Sequence, residues 1–213
     1  MAMDPAKTDC AIAVFARAPV PGETKTRLIP SLGADGAAAL HARLVEHTLA
    51  TANAAGVGPV TLHCAPDCNH DFFRACAQKY GVTLISQAHG DLGARMHAVF
   101  VARAGALLVG TDCPSISIDH LRACATVLRE GADAVFLPAE DGGYGLVGLA
   151  RATPEIFSDM VWSTDTVMEE TRDRLRRLNL VWREPAVIWD VDRPQDAERL
   201  KASGLLPDWS GQS

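Results

Sequence analysis

Apolar runs of strand length alternate along this chain with stretches of helical period. The runs are Cys10 to Ala16, Val60 to Cys64, Val82 to Ser86, Gly105 to Gly110, Ala134 to Leu137 and Gly145 to Leu149. Strands buried on both faces read in this way, without a regular polar alternation. Between them, Ala34 to Ala55 carries Leu40, Leu44, Val45 and Leu49 on one face and ends at Gly56, which predicts a long amphipathic helix. Asp71 to Tyr80 predicts a second helix. A third is expected from Leu92, Met96 and Val99, and a fourth from Leu121 to Leu128, ending at Gly131. The order strand, helix, strand, helix, strand implies parallel pairing with right-handed crossovers. Glu140-Asp141-Gly142-Gly143-Tyr144 favours a tight turn, so the strand from Gly145 to Leu149 is expected to return antiparallel. Further on, a helix is expected through Val167, Met168, Thr171, Leu175 and Leu178, with the charged residues from Glu169 to Arg177 on its solvated face. Val187 to Asp192 reads as a last strand, Pro194 to Gly204 as a last helix, and Leu206 to Ser213 as a loose tail. The pattern predicts one α/β domain over residues 1–213, with helices on both faces of a mostly parallel sheet.

Composition narrows the function classes. The chain has 213 residues, 48% of them apolar, enough for one substantial core. Its net charge of −6 argues against a nucleic-acid surface, which needs a clustered positive field. No apolar run approaches the about 20 residues of a membrane span, and the N-terminus lacks a leader pattern, so a cytoplasmic protein is expected. Six cysteines are too sparse for a disulfide scaffold and are expected as reduced thiols. The group His63-Cys64-Ala65-Pro66-Asp67-Cys68-Asn69-His70 contains zinc-type ligands, but its spacing matches no standard zinc motif; a strand end and loop account for it.

The candidate chemistry sits where strands are expected to end, the edge of an open α/β sheet at which ligands bind. After the first strand, Arg17 to Leu28 is broken by Pro19, Pro21 and Gly22 and carries Arg17, Lys25 and Arg27. This is either a solvated basic loop or a clamp on phosphate oxygens. Neither Gly-x-Gly-x-x-Gly nor a Walker Gly-Lys-Ser/Thr is present. The fourth run ends in Gly110-Thr111-Asp112-Cys113-Pro114; Asp112 there either caps the following helix or holds a divalent cation. In Gly90-Asp91-Leu92-Gly93-Ala94-Arg95-Met96, Asp91 reads as a helix N-cap, and the glycines permit a flat ligand to approach the backbone. Asp190 and Asp192 alternate, so only one of them points at a given ion. A basic loop and several strand-end carboxylates suit a nucleoside diphosphate or triphosphate carried with Mg²⁺ or Mn²⁺.

Phe15 to Leu28, Gly90 to Met96, Gly110 to Pro114, Asp141-Gly142-Gly143-Tyr144, Trp162-Ser163-Thr164 and Asp190-Val191-Asp192-Arg193-Pro194 resemble, in order, the motifs of the small bacterial GT-A-fold glycosyltransferases. Members of that family carry the labels arsenosugar-biosynthesis-type or nucleotide-diphospho-sugar transferase. A similar Lys-x-Arg-Leu loop occurs in the related guanylyltransferases for phospholactate and molybdenum cofactor. The resemblance implies a single GT-A-like α/β/α sandwich and a metal-dependent transfer of sugar from a nucleoside-diphosphate sugar to a small-molecule acceptor. It further implies Mg²⁺ or Mn²⁺ on Asp112 and Asp192, the latter aligned with the closing Asp-Thr-Pro-Glu-Asp of sugar nucleotidyltransferases. Arg17, Lys25, Arg27, Asp91 and Arg95 would hold the nucleotide. Asp112, Lys25 and Asp141 would be catalytic, Asp141 as base toward the acceptor hydroxyl. The chain has Gly-Thr-Asp rather than Asp-x-Asp, so a second carboxylate must come from elsewhere, and it lacks the Gly-Gly-x-Gly-x-Arg triphosphate loop, which favours a sugar-diphosphate donor. The alternatives are a nucleotidyltransferase releasing pyrophosphate and a non-catalytic nucleotide-sugar binder.

Overall fold

The computed structural model describes residues 9–207 and 209. The first eight residues, read above as lacking a leader pattern, lie outside the described residues, as do residues 208 and 210–213 of the expected tail. Seven strands form one sheet: β1 (Ile12–Arg17), β2 (Val60–Ala65), β3 (Thr83–Ser86), β4 (Ala106–Gly110), β5 (Ala134–Pro138), β6 (Tyr144–Leu149) and β7 (Trp182–Arg183). Their spatial order is β3-β2-β1-β4-β6-β5-β7. β6 lies antiparallel to both β4 and β5, and every other pairing is parallel. The mostly parallel α/β sandwich with an antiparallel strand at 145–149 is therefore the fold of this chain.

Both faces of the sheet are covered, which is why its strands are apolar without alternation. Ile12, Val14 and Ala16 of β1 join Leu107 and Val109 of β4 in a core beneath α1 (Ile29–Ala55), α2 (Asp71–Tyr80) and α4 (Ile118–Arg129). The intervening Ala13, Leu108, Phe136 and Val147 pack on the opposite face against α3 (Leu92–Ala102) and α5 (Val167–Arg177). A third cluster joins Leu28, Leu40 and Val191 to Ala197 and Leu200 of α6 (Pro194–Ser203). Leu206 is buried in that cluster and Trp209 packs on it, so the described part of the expected loose tail is anchored.

The predicted helices form within a few residues of their expected limits. α1 includes a turn before Ala34, separated from the main helix by Gly33 at φ 70° and ψ 168°. The stretch read as a last strand, Val187 to Asp192, is not one. Only Ile188 bridges the sheet, beside Ala139, because the segment turns across the strand tips instead of running along an edge. The seventh strand is the two-residue β7, too short to leave a periodic signal. Among the described residues no helix is long and apolar enough to cross a membrane.

Candidate functional site

The sheet order reverses between β1 and β4: the chain runs outward from β1 through β2 to β3, then returns to the other side of β1 with β4. The carboxyl ends of such a pair diverge into a crevice. A cleft of about 420 Å³ opens there, lined by the last residues of β1, by residues following β3, β4 and β5, by the starts of α3 and β6, and by the segment 162–164. The stretch 188–191 closes one side of it. The Ile188 N–H donates to the Pro138 carbonyl at 2.8 Å, and the Val191 N–H to the Asp112 carbonyl at 2.8 Å. Asp190 is thereby suspended between the tips of β5 and β4, and its side chain faces the cleft.

The basic loop lies against this edge. Lys25 adopts a left-handed conformation, φ 50° and ψ 42°, in front of a 3₁₀ turn at Thr26–Leu28. A non-glycine residue in that region is disfavoured by about 1–2 kcal/mol, so other contacts must hold it. They are made by its side chain, of which 5% is exposed: Nζ is 2.6 Å from Asp112 Oδ1 and donates to the Val191 carbonyl. Arg27 pairs with Asp192. Burial acts to raise the Asp112 carboxyl, but the Lys25 ammonium, through its charge and its hydrogen bond, and then His41 hold it below the usual carboxylate range. Asp112 does not cap the next helix. Ser117 does, accepting from the His120 N–H at 3.2 Å in a reciprocal capping box.

Three carboxylates crowd the cleft around Cys113, whose thiol is pushed far up by burial and then by Asp112, Asp190 and Asp141. Asp190 is itself raised to about 6, first by burial and then by the neighbouring charge of Asp141. Asp141 Oδ1 accepts the Gly143 N–H at 2.9 Å, which fixes the turn at the tip of β6. The opposing cations are Arg17 and Arg95. Among the described residues neither takes part in an ion pair, although the Arg95 Nε–H donates to the Gly90 carbonyl at 2.9 Å.

The far wall is built by close approach. A Cβ on Gly93 would lie 2.8 Å from the Phe157 carbonyl oxygen and 3.0 Å from Trp162 Cζ2. At Gly93 the space read in sequence as room for a flat ligand is therefore filled by Phe157 and Trp162. Gly142, at φ 91°, brings the turn so near α5 that a Cβ would sit 1.9 Å from the Asp165 carbonyl oxygen. Its own carbonyl accepts the Met168 N–H at 2.8 Å.

Of the candidate residues, Arg17, Arg95, Asp112 and Asp141 line the cleft. Lys25 reaches it only through Asp112. Arg27 and Asp192 form their own pair beside it, and Asp91 serves α3 as N-cap, accepting the Ala94 N–H at 2.8 Å. The cleft is also lined by Asp190, the alternative to Asp192, and by His41 and Gln87, to which the sequence assigns no role. Gln87 donates to the His63 carbonyl at 2.9 Å and ties strand ends together. His41 hydrogen-bonds the Arg17 carbonyl at 3.0 Å, and burial first of all lowers its pKa. Nothing in the sequence marks His41 or Gln87, because their neighbours come from distant segments. Asp190 could have been found from the alternation with Asp192.

No three His, Cys, Asp or Glu side chains converge as a closed metal cage among the described residues. The donor set nevertheless suits a hard cation. Asp112 and Asp192 leave backbone segments joined by the Val191 hydrogen bond, and the crowding at Asp190 favours added positive charge. Two carboxylates leave the remaining positions to water and substrate phosphates.

A family model described as an uncharacterized protein conserved in bacteria, DUF2064, matches residues 48–164, more than half of the chain. The chain belongs to the DUF2064 family. No curated protein matches this DUF2064 member in sequence. Among solved structures it is similar to a protein of Desulfovibrio desulfuricans provisionally named a nucleotide-diphospho-sugar transferase. The two are 26% identical, with 92% of this chain and 88% of that one covered and a TM-score of 0.82. A cytidylyltransferase of Leptospira borgpetersenii shares the fold at 14% identity, covering 92% and 87%, with a TM-score of 0.61. So does a Mycobacterium tuberculosis protein in complex with manganese, at 19%, 93% and 99%, with a TM-score of 0.53.

Proposed function

We propose that this DUF2064 protein is a transferase acting on nucleotide-linked substrates, specifically a metal-dependent glycosyltransferase that moves a sugar from a nucleoside-diphosphate sugar to a small-molecule acceptor. The observation that carries the reading is the cleft at the β1/β4 divergence, where Arg17 and Arg95 face Asp112, Asp141 and Asp190. The likeness to the Desulfovibrio protein supports the substrate class.

In this reading Arg17 and Arg95 grip the diphosphate, as guanidinium groups do through paired N–H donors. Lys25 and Arg27 add charge to the same oxygens. Asp112 and Asp192 would hold Mg²⁺ or Mn²⁺, which supplies charge stabilisation to the departing nucleoside diphosphate. The bond from the anomeric carbon to the diphosphate oxygen breaks as the acceptor oxygen bonds to that carbon. The acceptor's proton passes to Asp141, whose position at the tip of a tight turn brings its carboxylate to the cleft.

A second reading, favoured by the fold shared with the cytidylyltransferase, is nucleotidyl transfer. Incubation with a panel of nucleoside triphosphates and nucleotide sugars, with Mn²⁺ or Mg²⁺, separates the two. Release of nucleoside diphosphate from a nucleotide sugar is expected; pyrophosphate release from a triphosphate would replace the first reading with the second. Chelation with EDTA should stop turnover and added Mn²⁺ or Mg²⁺ restore it; turnover indifferent to EDTA would remove the metal from the scheme.

A further inference from the structure

The two carboxylates proposed above for the cation are already engaged. Lys25 Nζ lies 2.6 Å from Asp112 Oδ1 and also donates to the Val191 carbonyl, while Arg27 holds Asp192. Both cations belong to one short loop, separated by a single residue at the start of a 3₁₀ turn. Lys25 is buried in spite of its charge, and its backbone takes a conformation that few lysines adopt. These contacts give each acid a counter-charge from the chain itself, and a divalent cation entering the same oxygens must displace an ammonium and a guanidinium.

We infer that the loop from Lys25 to Arg27 is a counterion latch: its two cations occupy Asp112 and Asp192 in the free protein and leave them for the phosphates of an arriving nucleotide. Arriving phosphate groups offer the two cations alternative anionic partners. Their transfer unmasks both carboxylates at once, so nucleotide binding precedes tight metal binding. The order follows from charge balance. The latch gives Asp112 and Asp192 cations without a metal, and the phosphates compete for the cations, not for the carboxylates. Arg17 and Arg95, free of ion pairs among the described residues, provide the first landing points for the phosphates. The inference rests on the metal-dependent reading and adds to it a sequence of events and a role for Lys25 distinct from direct catalysis.

The test measures Mn²⁺ binding by electron paramagnetic resonance, which reads the free ion and requires no turnover. The free wild-type protein is compared with Lys25→Met and with Arg27→Gln, the latter at a largely exposed side chain where folding is not at stake. The same titration is repeated with ADP, CDP, GDP and UDP, corrected for Mn²⁺ held by nucleotide alone. The expected result is that each variant binds Mn²⁺ at least tenfold more tightly than the free wild type. At least one nucleoside diphosphate should produce a similar gain in the wild type and a smaller one in the variants. Lys25→Met combined with Asp112→Asn should lose the gain, which places the ion at Asp112. Unchanged or weaker Mn²⁺ binding in both single variants, with the ion still bound in the presence of diphosphate, overturns the latch and leaves the metal reading standing. Absence of Mn²⁺ binding in every arm overturns both.

Discussion

Lys25 and Asp112 illustrate how one contact can serve folding and chemistry together. The Lys25 side chain is 5% exposed and that of Asp112 54% exposed. Removing the acid strands an ammonium that retains only the Val191 carbonyl. Asp112→Ala is therefore expected to lower stability by about 2 kcal/mol, less than the loss for a fully buried pair because Asp112 meets water. Adding Lys25→Met should recover most of that loss, as read by urea unfolding of the two single variants and the double variant; additive losses would dissolve the coupling. Asp190 behaves in the opposite way. Burial and then Asp141 raise its carboxyl from 3.8 to about 6, so the fold favours the protonated form. Its contribution is favourable below pH 4 and is lost as pH rises through about 6. Asp190→Asn should therefore add about 1 kcal/mol at pH 8, after allowance for solvent screening, and change little at pH 4. Equal effects at both pH values would show that packing, not charge, governs the site.

At the scale of elements, the turn from Ala139 to Gly143 decides how the antiparallel strand enters the site. Asp-Gly-Gly between two apolar runs was readable as a turn, and its acid as a cleft candidate. The demand on Gly142 was not readable, since it comes from the Asp165 carbonyl oxygen across the chain. Gly142→Ala is expected to cost about 2–3 kcal/mol from overpacking and the left-handed backbone, and to shift Asp141 with it. A drop in thermal midpoint together with loss of turnover is the outcome to seek; wild-type stability would mean that the turn and α5 separate freely. The segment 187–192 teaches the converse lesson. Its apolar alternation looks like a strand, yet it forms only a single bridge, at Ile188, and its other backbone bonds go to residues beyond the strand ends, such as Trp189 with Ser115 and Val191 with Asp112, because it crosses the strand tips. Local period cannot distinguish a strand within a sheet from an extended segment lying across one.

For the molecule as a whole, the cleft depends on a tie between distant parts. Arg199 of α6 holds Glu140 through two hydrogen bonds, 2.6 and 3.0 Å, and lies 4.4 Å from the Trp189 ring centroid. It thus links the last helix to the turn carrying Asp141 and to the segment carrying Asp190. These groups are about half exposed, so Arg199→Ala should leave stability little changed. Its effect belongs to alignment: turnover is expected to fall about tenfold. Denaturation and steady-state assays on the same variant check this, and unchanged turnover would show that the turn is positioned without Arg199.

The sequence by itself determined the alternation of apolar strands and amphipathic helices, and with it the α/β class, the return strand and the placing of acids and cations after strands. These follow from side-chain period and from turn chemistry, which are local properties. Only the tertiary structure decided which charges meet: Lys25 with Asp112, Arg27 with Asp192, and Asp190 with Asp141 inside the cleft. Those pairings span up to 165 residues of chain and depend on the order in which strands lie side by side. Electrostatic energy falls with distance in space, and separation along the chain carries no information about that distance.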